Sequence, residues 1–235
     1  MKNQYFGDRN DYFKFDLLIF LAEELTGIRK LSAIWMLTQD DGSTDGGSIK
    51  YRRGGGNKFL FNFLQNGFAE GRQVSKITGY FSKYHEPQDG GFVFNSYRDD
   101  AFFTNSNRKS YFDEIPAEFL QSAIVFLDPD NGLEVKSANG KSLHRYVRFE
   151  EAKSIYNRMS SDSFLVIYQH LPRIDRKYFL YGLYRDLKEC LDSPVPISIT
   201  DNQVAFLMVA KERDRHEELR NLLYEYVRSN LQILD

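Results

Sequence analysis

The chain has 235 residues, 42% of them hydrophobic and 15% aromatic, enough to bury the core of one large α/β domain. Its 31 basic and 33 acidic residues leave a net charge of −2, so no whole-molecule field marks a nucleic-acid binder and any such contact must use a local patch. A single cysteine, Cys190, excludes an internal disulfide framework and every multi-cysteine metal site.

The opening MKNQYFGDRND lacks the apolar core of a secretory signal, and no run approaches the roughly 18 apolar residues of a membrane span. A cytoplasmic protein without membrane contact is expected. Apolar residues at helical spacing over 12–25, with Gly27 as a stop, predict a first helix. In LSAIWMLTQDDG the apolar residues are continuous, which predicts a fully buried strand at 33–37 ending abruptly in Gln39, Asp40 and Asp41. The following GSTDGGSIKYRRGGGN has too many glycines for regular structure but brings Lys50, Tyr51, Arg52 and Arg53 close to Lys58. Such a basic loop suits phosphates, although a solvated loop fits equally well.

Residues 58–70 read as a helix and 74–81 as a second strand. The segment 92–112 reads as a polar, aromatic insertion whose Tyr97, Phe102 and Phe103 roof the core in preference to stacking on bases. SAIVFLDPDNG then predicts a buried strand at 123–127 ending in Asp128, Pro129, Asp130 and Asn131. A helix at 149–159 leads to SFLVIYQHLPR, 163–173, another buried strand ending in polar residues: Gln169, His170 and Arg173. A helix at 175–191, where Cys190 has a packing role, a hairpin turning at Asp201-Asn202 and a helix at 214–229 complete the chain. This order predicts an α/β fold: a mainly parallel sheet in three layers, flanked by helices, with an antiparallel C-terminal hairpin at the edge. It forms a single domain over 1–235 with 92–112 as the insertion.

Ligands of such sheets bind beyond the carboxyl ends of the strands. Any one acid there can be a helix or turn cap. Three buried strands that all end in acids and amides point instead to a working crevice, because a packed carboxylate needs a partner or a use. His170 is the best histidine candidate, since it directly follows a buried strand whereas His85, His144 and His216 lie in polar stretches. The carboxylates suit magnesium, but no spacing is diagnostic of a metal site. PDNGLEVK has the letters of a Pro-Asp…Glu-x-Lys nuclease motif, with a gap too short for two adjacent strands.

In layout the chain resembles the large-subunit ribosomal RNA adenine-N6 methyltransferases. GDRNDYFKFDLL stands where that family has a Gly-Asn-x-Ala-Asp-Val-Leu-Lys-His helix start, FLDPDNG is placed like its Asp-Pro-Pro-Tyr motif, and the terminal hairpin is shared. The resemblance implies S-adenosylmethionine and base methylation. It departs at TQDDGSTDGG, which is not a cofactor-binding glycine turn, at the predicted second strand, which ends KITGYFSK without an acid, and at FLDPDNG, which lacks the second proline and the stacking aromatic. Locally, TQDDG and YQHLPR resemble the Gln-Asp-Pro-Tyr and His-Pro-Ser motifs of the uracil-DNA glycosylase superfamily. That resemblance implies that Asp40 or Asp41 orients the attacking water and that His170 stabilises the departing base. No proline or tyrosine follows Gln39-Asp40, and Leu171 precedes Pro172.

A glycosylase needs no cofactor. The expectation is therefore a base-excision hydrolase on DNA, using neither cofactor nor metal, with Asp40, Asp41 and His170 catalytic. Gln39, Asp128, Asp130, Asn131, Gln169 and Arg173 would read a flipped, modified base, and Lys50, Tyr51, Arg52, Arg53 and Lys58 would hold nucleic acid. A defence role against modified viral DNA would follow. The alternatives are an adenine-N6-type methyltransferase and a metal-dependent nuclease.

Overall fold

A computed structural model describes residues 1–44, 46–47, 57–85, 91–173, 175–227 and 231–235. Lys50, Tyr51, Arg52 and Arg53 of the basic loop lie outside the described residues. The chain begins with α1 (Arg9–Glu24) and β1 (Lys30–Trp35), and α2 (Lys58–Ala69) and α3 (Lys76–Tyr84) lead to β2 (Val93–Tyr97). Next, α4 (Arg108–Asp113) precedes β3 (Ile124–Asp128), and the short β4 (Gly132–Leu133) and β5 (Tyr146–Val147) form a separate parallel pair. After α5 (Phe149–Arg158), β6 (Phe164–His170) and α6 (Arg176–Leu191) come β7 (Ile197–Thr200), β8 (Val204–Ala210), α7 (Arg213–Tyr226) and β9 (Gln232–Leu234).

The main sheet has the order β2-β1-β3-β6-β8-β7-β9. Its first four strands are parallel, β8 runs antiparallel to both β6 and β7, and β9 is antiparallel to β7. Successive side chains of a strand point to opposite faces, and here both faces are covered. Trp35, Phe126, Val166 and Phe206 pack into the layer formed by α1, α2, α3 and α7, whereas Ile34, Val125, Ile167 and Leu207 pack against α4, α5 and α6. Strands buried on both sides have no solvent face to mark with polar residues, hence the unbroken apolar runs. Among the described residues, no helix is long and apolar enough to cross a membrane.

Two expectations change. Residues 74–81 form most of helix α3 and no strand: Ile77, Tyr80 and Phe81, at helical spacing, are all buried in the core of one face. The second strand is β2, so the segment 92–112 supplies the sheet's edge and then α4 instead of standing outside the sheet as an insertion. An edge strand has one neighbour and tolerates polar residues. Asn95 Nδ2 donates to Ser32 Oγ at 3.0 Å, and the buried Trp35 Nε1 donates to Ser96 Oγ at 2.8 Å. Those side chains hide the strand from a reading based on apolar pattern.

Candidate active site

Because β1, β3 and β6 are parallel neighbours, their carboxyl ends lie side by side, with Trp35 opposite Asp128 and Leu127 opposite Ile167. The N-terminus of α1 meets them. Asp8 caps that helix, its Oδ1 accepting from the backbone N–H groups of Asn10 and Asp11 at 2.8 and 2.9 Å. The chain enters the cap through Gly7 at φ +80°, where an added Cβ would stand 2.6 Å from the Leu64 carbonyl oxygen. The three-residue spacing of Asp8, Asp11 and Lys14 puts all of them on one side of the first two turns, facing the strand ends.

Lys14, almost fully buried, bridges two carboxylates: its Nζ donates to Asp11 Oδ1 at 2.7 Å and to Asp128 Oδ2 at 2.8 Å. Lys2 makes a second bridge, 2.7 Å from Asp41 Oδ2 and 3.4 Å from Asp130 Oδ2. The segment that carries Lys2 pairs with Thr38 after β1, and Gln4 ties down the loop beyond. Gln4 Oε1 accepts from the Asp41 N–H, and its Nε2 donates to Asp41 Oδ1 and Ser43 Oγ.

These groups surround a cavity of about 450 Å³. Asp41, Asp128, Asp130, Asn131, His170 and Arg173, all anticipated from the sequence, line it together. Gln39, Asp40, Gln169 and Lys58 are not among the described lining residues. Asp40 accepts from the Gln4 N–H at 3.0 Å, and Lys58 is exposed at the start of α2. The buried Gln169 amide is spent on the backbone. Its Oε1 accepts from Leu133 N at 2.9 Å, and its Nε2 donates to the carbonyl oxygens of Asn131 and His170 at 3.1 and 2.9 Å. It latches the turn that presents Asp130. At that turn Gly132 has φ +122°, and a Cβ would fall 2.3 Å from Gln169 Oε1.

The wall also contains Lys2, Tyr5, Asp8, Asp11, Lys14 and Arg145, which the strand-end reading did not single out. Of these, Asp11 and Lys14 lie with Asp16 among the buried residues of α1, beside Phe15, Leu18 and Leu21, a placement legible only once the packed face of the helix is known. Glu134 and Lys136 of the nuclease-like letters line a different groove, along α6, while Asp130 lines the cavity. Among the described residues, no group of three or more His, Cys, Asp or Glu side chains is placed to hold a metal ion.

The electrostatics divide the carboxyls. Burial, reinforced by the charge of Asp11, pushes Asp8 up to about 7, against the opposing pull of its backbone hydrogen bonds and of Lys14. Burial likewise raises Asp11, which Lys14 opposes. Burial by itself lowers Lys14, but Asp11 and Asp128 more than offset this and hold it above the ordinary lysine value. Hydrogen bonds from Lys2 and Ser43 hold Asp41 well below the usual carboxylate range. The arrangement thus places a carboxyl that can exchange a proton near neutrality beside carboxylates fixed by lysines, with Arg9, Arg145, Arg173 and His170 also on the wall. No family model, no curated protein and no solved structure matches the chain.

Proposed function

We propose that the protein is a hydrolase of N-glycosidic bonds in nucleic acid, which takes one nucleotide unit into the crevice and releases its base. The reading is carried by the pairing of Asp8, whose proton is available near neutrality, with Asp128, fixed 2.8 Å from Lys14 in the same wall. Asp8 delivers a proton to the departing base, and Asp128 with Asp130 lies against the positive charge that develops on the sugar ring. Water then adds to the sugar carbon and returns a proton to Asp8. Arg145, Arg173 and His170 supply the grip on phosphates, which specify position more than sequence, while Arg9 is paired with Asp201. Asp41, held by Lys2 and Gln4, orients the segment that carries Lys2. A defence role against modified DNA is the biological setting this chemistry would suit.

The test is mass spectrometry of nucleosides and free bases after incubation with plain and hypermodified phage DNA, in chelator and with S-adenosylmethionine present. A free base with matching abasic sites is expected, and Asp8→Asn should slow release by about 10² or more. Base release at the parent rate in Asp8→Asn would remove the proposal.

Base methylation is a second reading, favoured by one observation: β2 is followed by Asp99, so an acid does end strand two. Asp99 Oδ2 accepts from Ser96 Oγ at 2.6 Å. Against this reading, the N–H groups of Asp41 and Ser43 after β1 already have partners, in Gln4 Oε1 and Asp41 Oδ1, and are not open to cradle a cofactor. A methylated nucleoside in the same experiment would select it.

A further inference from the structure

A second hollow is built from the same two stretches of chain as the crevice. Asp130 and Asn131 line the crevice, and Glu134, Val135 and Lys136 just beyond them line a groove of about 920 Å³ along α6. Likewise Arg173 lines the crevice and Tyr178, at the start of α6, lines the groove. The two are therefore neighbours on one surface. Phe149 and Leu183 give the groove apolar walls, and Tyr178 and Tyr181, one helical turn apart on α6, stand out of it 80% and 48% exposed. Two such rings on one apolar groove form a patch, not the scattered exposure that any surface shows.

The charges beside the rings are free to meet an anion. Among the described residues, Lys136, Arg173 and Lys177 are exposed and have no ion-pair partner. Residues 135–148, which run between the groove and the crevice, carry Lys136, Lys141, Arg145 and Arg148 and no acid. Of the acids in the groove, Glu134 accepts from the Phe149 N–H at 3.0 Å and Asp186 is paired with Arg185 at 2.9 Å. Glu189 lies about 16 Å further along the helix axis than Tyr178, at the far end.

Exposed rings interleaved with unpaired cations suit the bases and phosphates of a single strand. Bases within a duplex are stacked on one another and offer such rings no free face. Resting on the reading that one nucleotide unit enters the crevice, we infer that the groove along α6 holds the adjoining stretch of the same strand in single-stranded form. Its bases stack on Tyr178 and Tyr181, and its phosphates face Lys136, Arg173 and Lys177. The substrate is then a single-stranded region of a polynucleotide, held over several nucleotides, and neither a free nucleotide nor an intact duplex.

The measurement is fluorescence anisotropy of a labelled DNA oligonucleotide of about eight nucleotides, single-stranded or annealed to its complement, titrated with the full chain in chelator. The single strand should bind at least about tenfold more tightly than the duplex. Tyr178→Ala and Tyr181→Ala should each weaken single-strand binding by about fivefold or more, whereas Tyr178→Trp, which keeps a ring without the hydroxyl, should bind like the parent. Lys177→Gln should lower the slope of log affinity against log salt by about 0.7. Both tyrosines are exposed, so these variants test contact with the strand and not folding. Duplex binding equal to single-strand binding, or alanine variants that bind like the parent, overturns the inference, and base release measured on the same samples then shows whether the crevice reading survives. Sedimentation of the free chain supplies one more arm: a dimer that Tyr178→Ala dissociates, with no oligonucleotide bound, gives the groove to a second copy and overturns the inference. If nothing binds and no base is released, both readings fall together.

Discussion

Asp8→Asn isolates the most unusual electrostatic feature of the fold. The asparagine keeps the helix cap, since its side-chain oxygen can still accept from Asn10 and Asp11, but it cannot ionise. Burial raises the folded-state pKa of Asp8 from 3.8 to about 7, so between those values the folded chain holds a proton that the unfolded chain has released. The sign follows: this contribution to stability is complete below the unfolded value and is lost as pH rises through about 7. At about 1.4 kcal/mol per unit, the loss between about pH 5 and about pH 8 is roughly 2.5 kcal/mol. For a chain of this size, with a urea m-value of about 3 kcal/mol per molar, that is a fall of about 0.8 M in the unfolding midpoint. Urea titrations of the parent and of Asp8→Asn at a series of pH values give the difference free of titrations the two share. The parent should lose stability relative to the variant across that window. Parallel midpoints from about pH 5 to about pH 8 would refute the burial argument for Asp8.

Other perturbations have distinct signatures. Lys14→Met leaves Asp11 and Asp128 buried without their shared cation, so it should cost about 3–5 kcal/mol in a thermal or urea melt and cost less in acid, where the carboxyls can protonate. Gly132→Ala forces a Cβ onto Gln169 at a positive φ and should expel that amide, lowering stability by about 1–3 kcal/mol in a urea melt and slowing base release. Asp40→Asn removes a carboxylate outside the described lining and should leave the rate of base release within about twofold, as measured by quantification of freed base.

Much of the fold is legible in residues because its strands are buried on both faces. Ile34, Phe126 and Ile167 each sit in an unbroken apolar run whose abrupt polar end marks where the sheet opens onto the crevice. The same logic fails at the edges, where β2 carries Asn95 and Ser96 and the three-residue β9 carries almost no pattern. It also fails where aromatics and a glycine at 77–81 imitate a strand although Ile77, Tyr80 and Phe81 keep helical spacing. Within the site, the acids that end strands could be read directly, whereas Lys2, Asp8, Asp11 and Lys14 could not. Their place depends on how an N-terminal segment and a helix dock across the sheet, a long-range relation that local periodicity does not encode.

The position of β8 between β6 and β7 also governs how the chain must be made. During synthesis β6 emerges with only β3 available as a neighbour, and its other flank stays an open, apolar edge until β8 arrives from further down the chain. Until then that edge is a template for pairing with another nascent chain. A ribosome that stalls before the hairpin would thus release an aggregation-prone intermediate.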